Sequence, residues 1–513
     1  MPELDNSIAA GQHAQAVVIG AGISGLVAAY RLTQAGVTPL VLEASEQVGG
    51  FLAPLRVTGA SGATYEFDAG AESFSTRSTA VMDLVSELGL TTTAPSGGSA
   101  WCFPAHGEPF PLPKAGILGI PSSWDAPDLL RALGPKAIER AKADEWMSTG
   151  VGDRSNLAAF VASRMGQDVV DKLVGPITGG VHSTDPTKLD VTAIHPDFWR
   201  IFSEAGSLAG AVAQIRESAP AGSAVLGVVG GLHRITSTLR ERTAAAGGTF
   251  ALGTRVQSLT QTQSGWQVAV ALEGGESSEI RADRVILAVP AEAALVLLST
   301  AGIVADGEAG QAPRGTDISL VTLVVDSPTL AQGQPRGTGA LIAAGGPIAA
   351  KGTTHASVKW QWVRDLVAPT SNNADFGEGP NVIRFSYGRH GDTAVFTDEE
   401  LAALAARDFE LVYGGDAVGN GHEGGNEHDG GSGDAGAPAE VNTLGNYRIV
   451  ATHVVRWPAA LPPVTPQLRA LAKAVTERVE QLPGLAVTGS WISGTGLAAT
   501  IPHAQSAVAA LLA

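Results

Sequence analysis

The string Gly20-Ala21-Gly22-Ile23-Ser24-Gly25 constrains this chain more than any other, because its setting leaves the backbone few ways to run. Ahead of it, Ala16-Val17-Val18-Ile19 reads as a short buried strand. Behind it a helical pattern runs from Ser24 to Ala35 and stops at Gly36, and Val37 to Leu42 reads as a second strand ending at Glu43. A G-x-G-x-x-G run between strand and helix, with an acidic residue 18 positions past the last glycine, is the pattern of a nucleotide-binding β-α-β unit. In that geometry Gly20 permits the tight turn, Gly22 lets a diphosphate approach the main chain, and Gly25 lets helix and strand pack closely. The diphosphate meets free N–H groups and the positive end of the helix dipole. Glu43 would accept hydrogen bonds from the adenosine ribose. The motif alone admits either FAD or NAD.

The next residues push toward FAD. Glu43-Ala44-Ser45-Glu46-Gln47-Val48-Gly49-Gly50 puts a double glycine after the acidic strand end, which resembles the FAD-binding fingerprint of the glutathione-reductase-like flavoproteins. The rest of the chain has room for a second layer, since 513 residues correspond to roughly three domain-sized units. From Trp124 to Ala219 helical periodicity dominates, with Ser155 placed to cap a helix carrying Leu157, Phe160, Val161 and Met165. Strand patterns occupy 253–259, 266–272, 284–289, 318–325, 353–363, 382–387 and 447–455. Thr397-Asp398-Glu399-Glu400 is a capping box, so a helix starts there and ends near Tyr413. Pro466 opens another helix, Leu485-Ala486-Val487 is a last strand, and a glycine-marked turn over 489–496 precedes a final helix from Pro502 to Leu512.

Composition excludes several functions. With 33 basic against 50 acidic side chains the net charge is −17, a poor match to a nucleic-acid backbone. Cys102 is the one cysteine, so neither a disulfide framework nor a cysteine-based metal site can form within the chain, and a reducing, cytoplasmic compartment is expected. No run reaches the length needed to cross a bilayer, and the acidic first residues do not suit a signal peptide, although peripheral membrane contact stays open. The stretch 414–438 is so poor in apolar residues that it is expected to be a disordered loop, with His422 and His428 as solvated residues rather than metal ligands.

Further strings fall in a fixed order along the chain. Phe67-Asp68-Ala69-Gly70-Ala71-Glu72-Ser73-Phe74 is followed by Pro111-Leu112-Pro113 and Gly119-Ile120-Pro121-Ser122-Ser123. Lys359-Trp360, Gly388-Arg389-His390-Gly391 and Arg456-Trp457-Pro458 come next, and the series ends on Gly489-Ser490-Trp491-Ile492-Ser493-Gly494-Thr495-Gly496-Leu497. Together, from Ala14 to Leu512, they resemble the protoporphyrinogen/coproporphyrinogen oxidase family of the flavin amine oxidase superfamily, in its actinobacterial form. The resemblance implies a mixed α/β fold, with a glutathione-reductase-like FAD-binding Rossmann domain and an inserted substrate-binding domain of sheet plus helical insert. The FAD part would comprise 14–95, 225–300 and 440–513, and the substrate part 96–224 and 301–413. The reaction implied is oxidation of coproporphyrinogen III to coproporphyrin III by O2 in haem synthesis, with hydrogen peroxide as by-product. Protoporphyrinogen IX is the alternative substrate, and transient contact with a ferrochelatase is a further implication. An amine oxidase, a carotenoid desaturase and a non-enzymatic FAD-binding protein are the competing readings.

Carried onto this chain, the resemblance puts Gly20, Ala21, Gly22, Ile23, Ser24 and Gly25 at the diphosphate and Glu43 and Ala44 at the ribose. Gly49, Gly50 and Phe51 would flank the next turn, while Gly70, Ala71, Glu72 and Ser73 lie along the flavin. Val256 would meet the adenine through its backbone, and Ser490, Thr495, Gly496 and Leu497 would close on the pyrimidine side. Phe51 and Ala53 stand where relatives often carry a basic residue, so backbone contacts must do more here. Removing six electrons from a porphyrinogen takes three two-electron rounds, and each cation formed has an acidic N–H, so no strong protein base is required. Glu72 is the candidate for proton traffic, and Trp491 a candidate wall of the pocket. The substrate's carboxylates call for local cations in an acidic protein, for which Lys114, Arg164, Lys172, Lys359 and Arg389 are candidates.

Overall fold

Three short runs without a polar side chain, Ala16–Ile19, Pro39–Leu42 and Val285–Leu287, are buried at every residue. Strands this apolar need cover on both faces, which parallel β-α-β units provide. In the computed structural model they pair in parallel, flanked by Thr249–Ala251 and Leu485–Val487, in the spatial order 249–251, 39–42, 16–19, 285–287, 485–487. The structure describes residues 11–76, 78–96, 98–114, 116–182, 185–195, 197–218, 225–271, 277–310, 313–370, 374–389, 391–392, 394–414, 445–463 and 465–513. Of the expected loop 414–438, all but Gly414 lies outside the described residues.

Alternation along these strands splits the core in two. Val18, Val41 and Ile286 point toward the helices Ile23–Gln34 and Leu497–Leu512, which pack side by side. Val17, Leu40 and Val285 point the other way, into a second cluster that takes in Trp266 and Val268 of the strand Gly265–Ala271 and Leu468, Val475 and Val479 of the helix Pro466–Val479. The helix after Ala16–Ile19 and the helix after Leu485–Val487 therefore both start at the carboxyl edge of the sheet, where ligands of such folds bind. The final helix begins at Leu497 rather than at Pro502, which sits inside it and costs one backbone hydrogen bond.

A seven-stranded mixed sheet forms the second layer, in the order 448–461, 316–326, 380–387, 352–355, 339–342, 101–103, 110–111. Val321, Leu323, Ile383 and Phe385 on one face pack under the helix Asp398–Tyr413, whose capping box forms as expected. Val324 and Val382 on the other face pack with Leu55, Phe67 and Ala69. Two expectations need correction here. Arg448–Leu461, grouped by the 440–513 boundary with the FAD part, instead pairs with Thr316–Asp326 as the edge strand of this sheet. The strand expected over 353–363 stops at His355; Ala356–Lys359 and Gln361–Val367 are helical, because Trp360, Val363 and Val367 fall on one helical face and fill the core between the layers.

The helical insert, Pro127 to Glu217, closes around its own core of Phe160, Phe198, Phe202 and neighbouring aliphatics. Asn156, not Ser155, caps the helix Leu157–Met165, its Oδ1 accepting from Ala159 N at 2.7 Å.

His355 makes the fold acid-sensitive. The Asn381 amide nitrogen donates to three carbonyls, which turns Oδ1 toward His355 Nε2 at 3.1 Å and requires Nε2 to carry the proton. Nδ1 is buried without a partner, and burial pushes the imidazole down from 6.5 to about 4. Between those values the unfolded chain binds the extra proton and the folded one does not, so stability is full above about 6.5 and falls as pH drops toward 4. The expected loss is roughly 3 kcal/mol from this group. Urea unfolding at both ends of the window checks it: His355→Gln should flatten the pH dependence, and an unchanged slope would refute the assignment.

Candidate active site

The turn over residues 20–25 is held by backbone contacts that leave no space for side chains at two of its glycines. Gly20 has φ +102° and donates to Leu42 O at 2.8 Å, and a Cβ there would lie 2.6 Å from Ala288 O. A Cβ on Gly25 would lie 1.8 Å from Gly20 O. Gly22 differs: its φ is −70° and nothing lies within 4 Å of its would-be Cβ. Packing within the protein therefore does not call for glycine at 22. A ligand approaching the main chain does, and that fits a dinucleotide diphosphate. The helix Ile23–Gln34 begins with no side-chain cap, so its first N–H groups face that approach.

Around this turn the other fingerprint residues assemble. Gly49 donates to Ala21 O at 2.8 Å and bridges to Gly22, so the double glycine lies directly against the first turn. Glu43 Oε2 accepts from Ala21 N at 2.7 Å, and Oε1 accepts from Ser45 N and Oγ. The carboxylate is thereby pinned beside the turn with lone pairs to spare. Ala44 is exposed next to it. Thr254 N donates to Glu43 O, which brings the strand Arg255–Thr262 alongside, and Val256 sits at the register shift of that strand. Phe51 O accepts from Ala71 N at 3.0 Å and would lie 2.3 Å from a Cβ on Gly70, so Gly70 to Ser73 pass close over the same turn. The Phe51 ring is 39% exposed and meets Trp457 edge-on at 5.3 Å. Trp457 comes from the second sheet and donates to Ala69 O, so an aromatic contact between the layers occupies the place where a charged one was expected.

The C-terminal segment arrives at the same edge. Ser490–Ser493 form one helical turn, and Trp491 Nε1 donates to Val289 O at 3.1 Å, which fixes the indole mainly as a core residue. Ser490, Trp491 and Thr495 also line a cavity of about 480 Å³ against the helix Pro466–Val479. Thr495 and Gly496 are exposed, and Leu497 opens its helix with no side-chain cap. Two uncapped helix starts thus sit on neighbouring helices at one sheet edge. That arrangement suits two centres of negative charge, one at the diphosphate and one at the flavin pyrimidine.

The expected cations divide differently from the sequence reading. Arg164 is fully buried against Asp144 and cannot reach a substrate. Arg389 donates to the carbonyls of Ile342, Ala349 and Ala350, and Lys172 pairs with Asp168 at 3.3 Å. Lys114 is exposed. Lys359 Nζ lies 2.6 Å from Glu72 Oε1, and Arg384, missed from the sequence, lies 2.9 Å from Glu72 Oε2. Burial alone would raise the Glu72 carboxyl, but the two cations outweigh it and hold it below its ordinary value. A carboxylate so clamped is a poor proton carrier, which corrects the role expected for it. An acidic residue following Gly70 was the only local signal for this cluster; its partners lie hundreds of residues away.

Comparison with known proteins identifies the family. The family described as flavin containing amine oxidoreductase matches residues 23–512. Proteins named coproporphyrinogen III oxidase are similar: that of Mycobacterium bovis is 28% identical, covering 96% of each chain, and that of Staphylococcus aureus is 26% identical, covering 76% of this chain and 82% of its own. Among solved structures, an Exiguobacterium protein assigned as a protoporphyrinogen oxidase superposes with a TM-score of 0.74 at 21% identity, over 98% of both chains. A putrescine oxidase superposes with a TM-score of 0.55 at 15% identity, over 98% of this chain and 99% of its own. A family match over nearly the whole chain leads to one conclusion: the chain belongs to the flavin containing amine oxidoreductase family, FAD-dependent oxidoreductases.

Proposed function

We propose that this protein oxidises coproporphyrinogen III to coproporphyrin III, passing six electrons and six protons to three O2 to give three hydrogen peroxide. What carries the reading is the likeness to proteins named coproporphyrinogen III oxidase, which covers 96% of this chain and 96% of the Mycobacterium bovis protein. Bound FAD would supply the two-electron acceptor that O2 regenerates. The chain's own part is to hold and orient. Gly20 to Gly25 would take the diphosphate, Glu43 and Ala44 the ribose, and Val256 the adenine through its backbone. Gly49, Gly50 and Phe51 would flank the turn, and Gly70, Ala71, Glu72 and Ser73 would run along the ring. Ser490, Thr495, Gly496 and Leu497 would bring the second helix start to the pyrimidine edge, stabilising negative charge there. The substrate would lie between that ring and the second sheet, away from bulk water.

A cytoplasmic location, and handover of product to a ferrochelatase by transient contact, complete the proposal; no helix among the described residues is long and apolar enough to cross a membrane. The test is anaerobic mixing of the FAD-loaded protein with coproporphyrinogen III or protoporphyrinogen IX. The expected result is bleaching of the flavin absorbance, faster with coproporphyrinogen III, and on admission of air three peroxides per porphyrin formed. A flavin that stays oxidised with both would reject the reading, and faster bleaching with protoporphyrinogen IX would reassign the substrate.

A further inference from the structure

The second sheet turns a polar row toward the nucleotide-binding half. Thr322 stands opposite Arg384 on one side and opposite His453 on the other. Side chains alternate along strands, so these three leave from the same face as Val324 and Val382, which pack against Ala69 and Trp360. Arg384 also donates to Asp68 O at 3.1 Å, at the root of the segment carrying Glu72. Lys359 reaches the same carboxylate from the helix Ala356–Lys359. The side chains of Glu72, Lys359 and Arg384 are only 10%, 19% and 13% exposed.

The charges here do not balance. Two cations share one carboxylate, which leaves one positive charge in a nearly dry place, in a chain of net charge −17. Sheltered charge without a partner is costly, and an arriving anion would relieve it. Donors remain for such an anion, since Glu72 uses one of the three N–H groups of Lys359, and Arg384 has five. We propose that Arg384, with Lys359 beside it, grips a carboxylate of the tetrapyrrole substrate, and that Glu72 is the positioning residue holding both cations in place; the inference rests on the porphyrinogen reading above. Arg384 presents a planar fork that suits a carboxylate, and Lys359 adds a compact charge.

The probes are coproporphyrin III, with four carboxylates, and its tetramethyl ester, with none, titrated into the FAD-loaded protein and followed by porphyrin fluorescence. Arg384→Gln should weaken coproporphyrin III binding about 10- to 100-fold and leave ester binding within about two-fold. In turnover it should raise KM for coproporphyrinogen III by a similar factor with kcat nearly unchanged, and Arg384→Lys should recover part of the loss. Glu72→Gln raises the cluster from one net positive charge to two, so acid binding should depend more steeply on salt while ester binding does not. A purely structural role for Glu72 would not change that slope. Should Arg384→Gln not fold, the wild-type protein still decides: added salt must weaken the acid and spare the ester. Equal effects on acid and ester, or none on the acid, overturn the inference while leaving the proposed reaction standing. A wild-type protein that neither binds nor oxidises any porphyrin overturns that reaction itself.

Discussion

Asp144→Ala should destabilise the protein by about 3–5 kcal/mol, although Asp144 lies in the helical insert, apart from the nucleotide turn. Arg164 is wholly buried and its guanidinium is fully engaged. Nε donates to Asp144 Oδ1 at 2.6 Å, one terminal nitrogen to the carbonyls of Ser148 and Val151, and the other to those of Asp144 and Met147. The second carboxylate oxygen accepts from Ala209 N, tying in the helix Leu208–Glu217. Removing the carboxylate leaves a buried cation with no countercharge and an unpaired N–H at 209. The double change Asp144→Leu with Arg164→Met removes the unbalanced buried charge and should recover part of the loss, while Ala209 N–H and the carbonyls that Arg164 served still lose these partners. Urea unfolding of Asp144→Leu, Arg164→Met and the double variant gives the coupling directly. A single variant within about 1 kcal/mol of wild type would show that the pair does not organise the insert.

What could be read from the sequence, and what could not, follows from how far each feature reaches along the chain. The tight turn between the first buried strand and its helix was legible because its constraints are local: Gly20 and Gly25 lie five residues apart and answer to each other's backbone. The capping box at Thr397 was legible for the same reason. Arg164 as a substrate cation was not, because only the fold brings the 144–151 loop around it. The Glu72 cluster was harder still, since Glu72 and Lys359 are 287 residues apart and Arg384 carries no motif. The 353–363 segment misled because Val358, Trp360 and Val363 suit strand and helix alike, and only the cavity between two layers selects the helix. Arg448–Leu461 was assigned by proximity to the C-terminal segment, whereas pairing follows the ladder to Thr316–Asp326.

Gly22→Ala and Gly25→Ala should separate what this protein needs for folding from what it needs for its cofactor. At Gly25 the new methyl would lie 1.8 Å from Gly20 O and 3.3 Å from the Ala288 Cβ. Neither obstacle is the flexible end of a side chain, so the helix Ile23–Gln34 must lift off the sheet. The strain should cost about 3 kcal/mol or more, at or above the usual range for overpacking. FAD affinity should fall at least about 100-fold with it, because the N–H groups proposed above to take the diphosphate move together with the helix. At Gly22 the methyl meets nothing within 4 Å and φ is already suitable for alanine, so the FAD-free protein should keep wild-type stability to within about 0.5 kcal/mol. The same methyl would stand in the path of the diphosphate, and FAD affinity should still fall by about 10-fold or more. Unfolding of the FAD-free proteins and fluorescence titration of FAD measure the two quantities separately. Wild-type FAD affinity in Gly22→Ala would place the dinucleotide elsewhere, and the assignment of this turn would have to be abandoned.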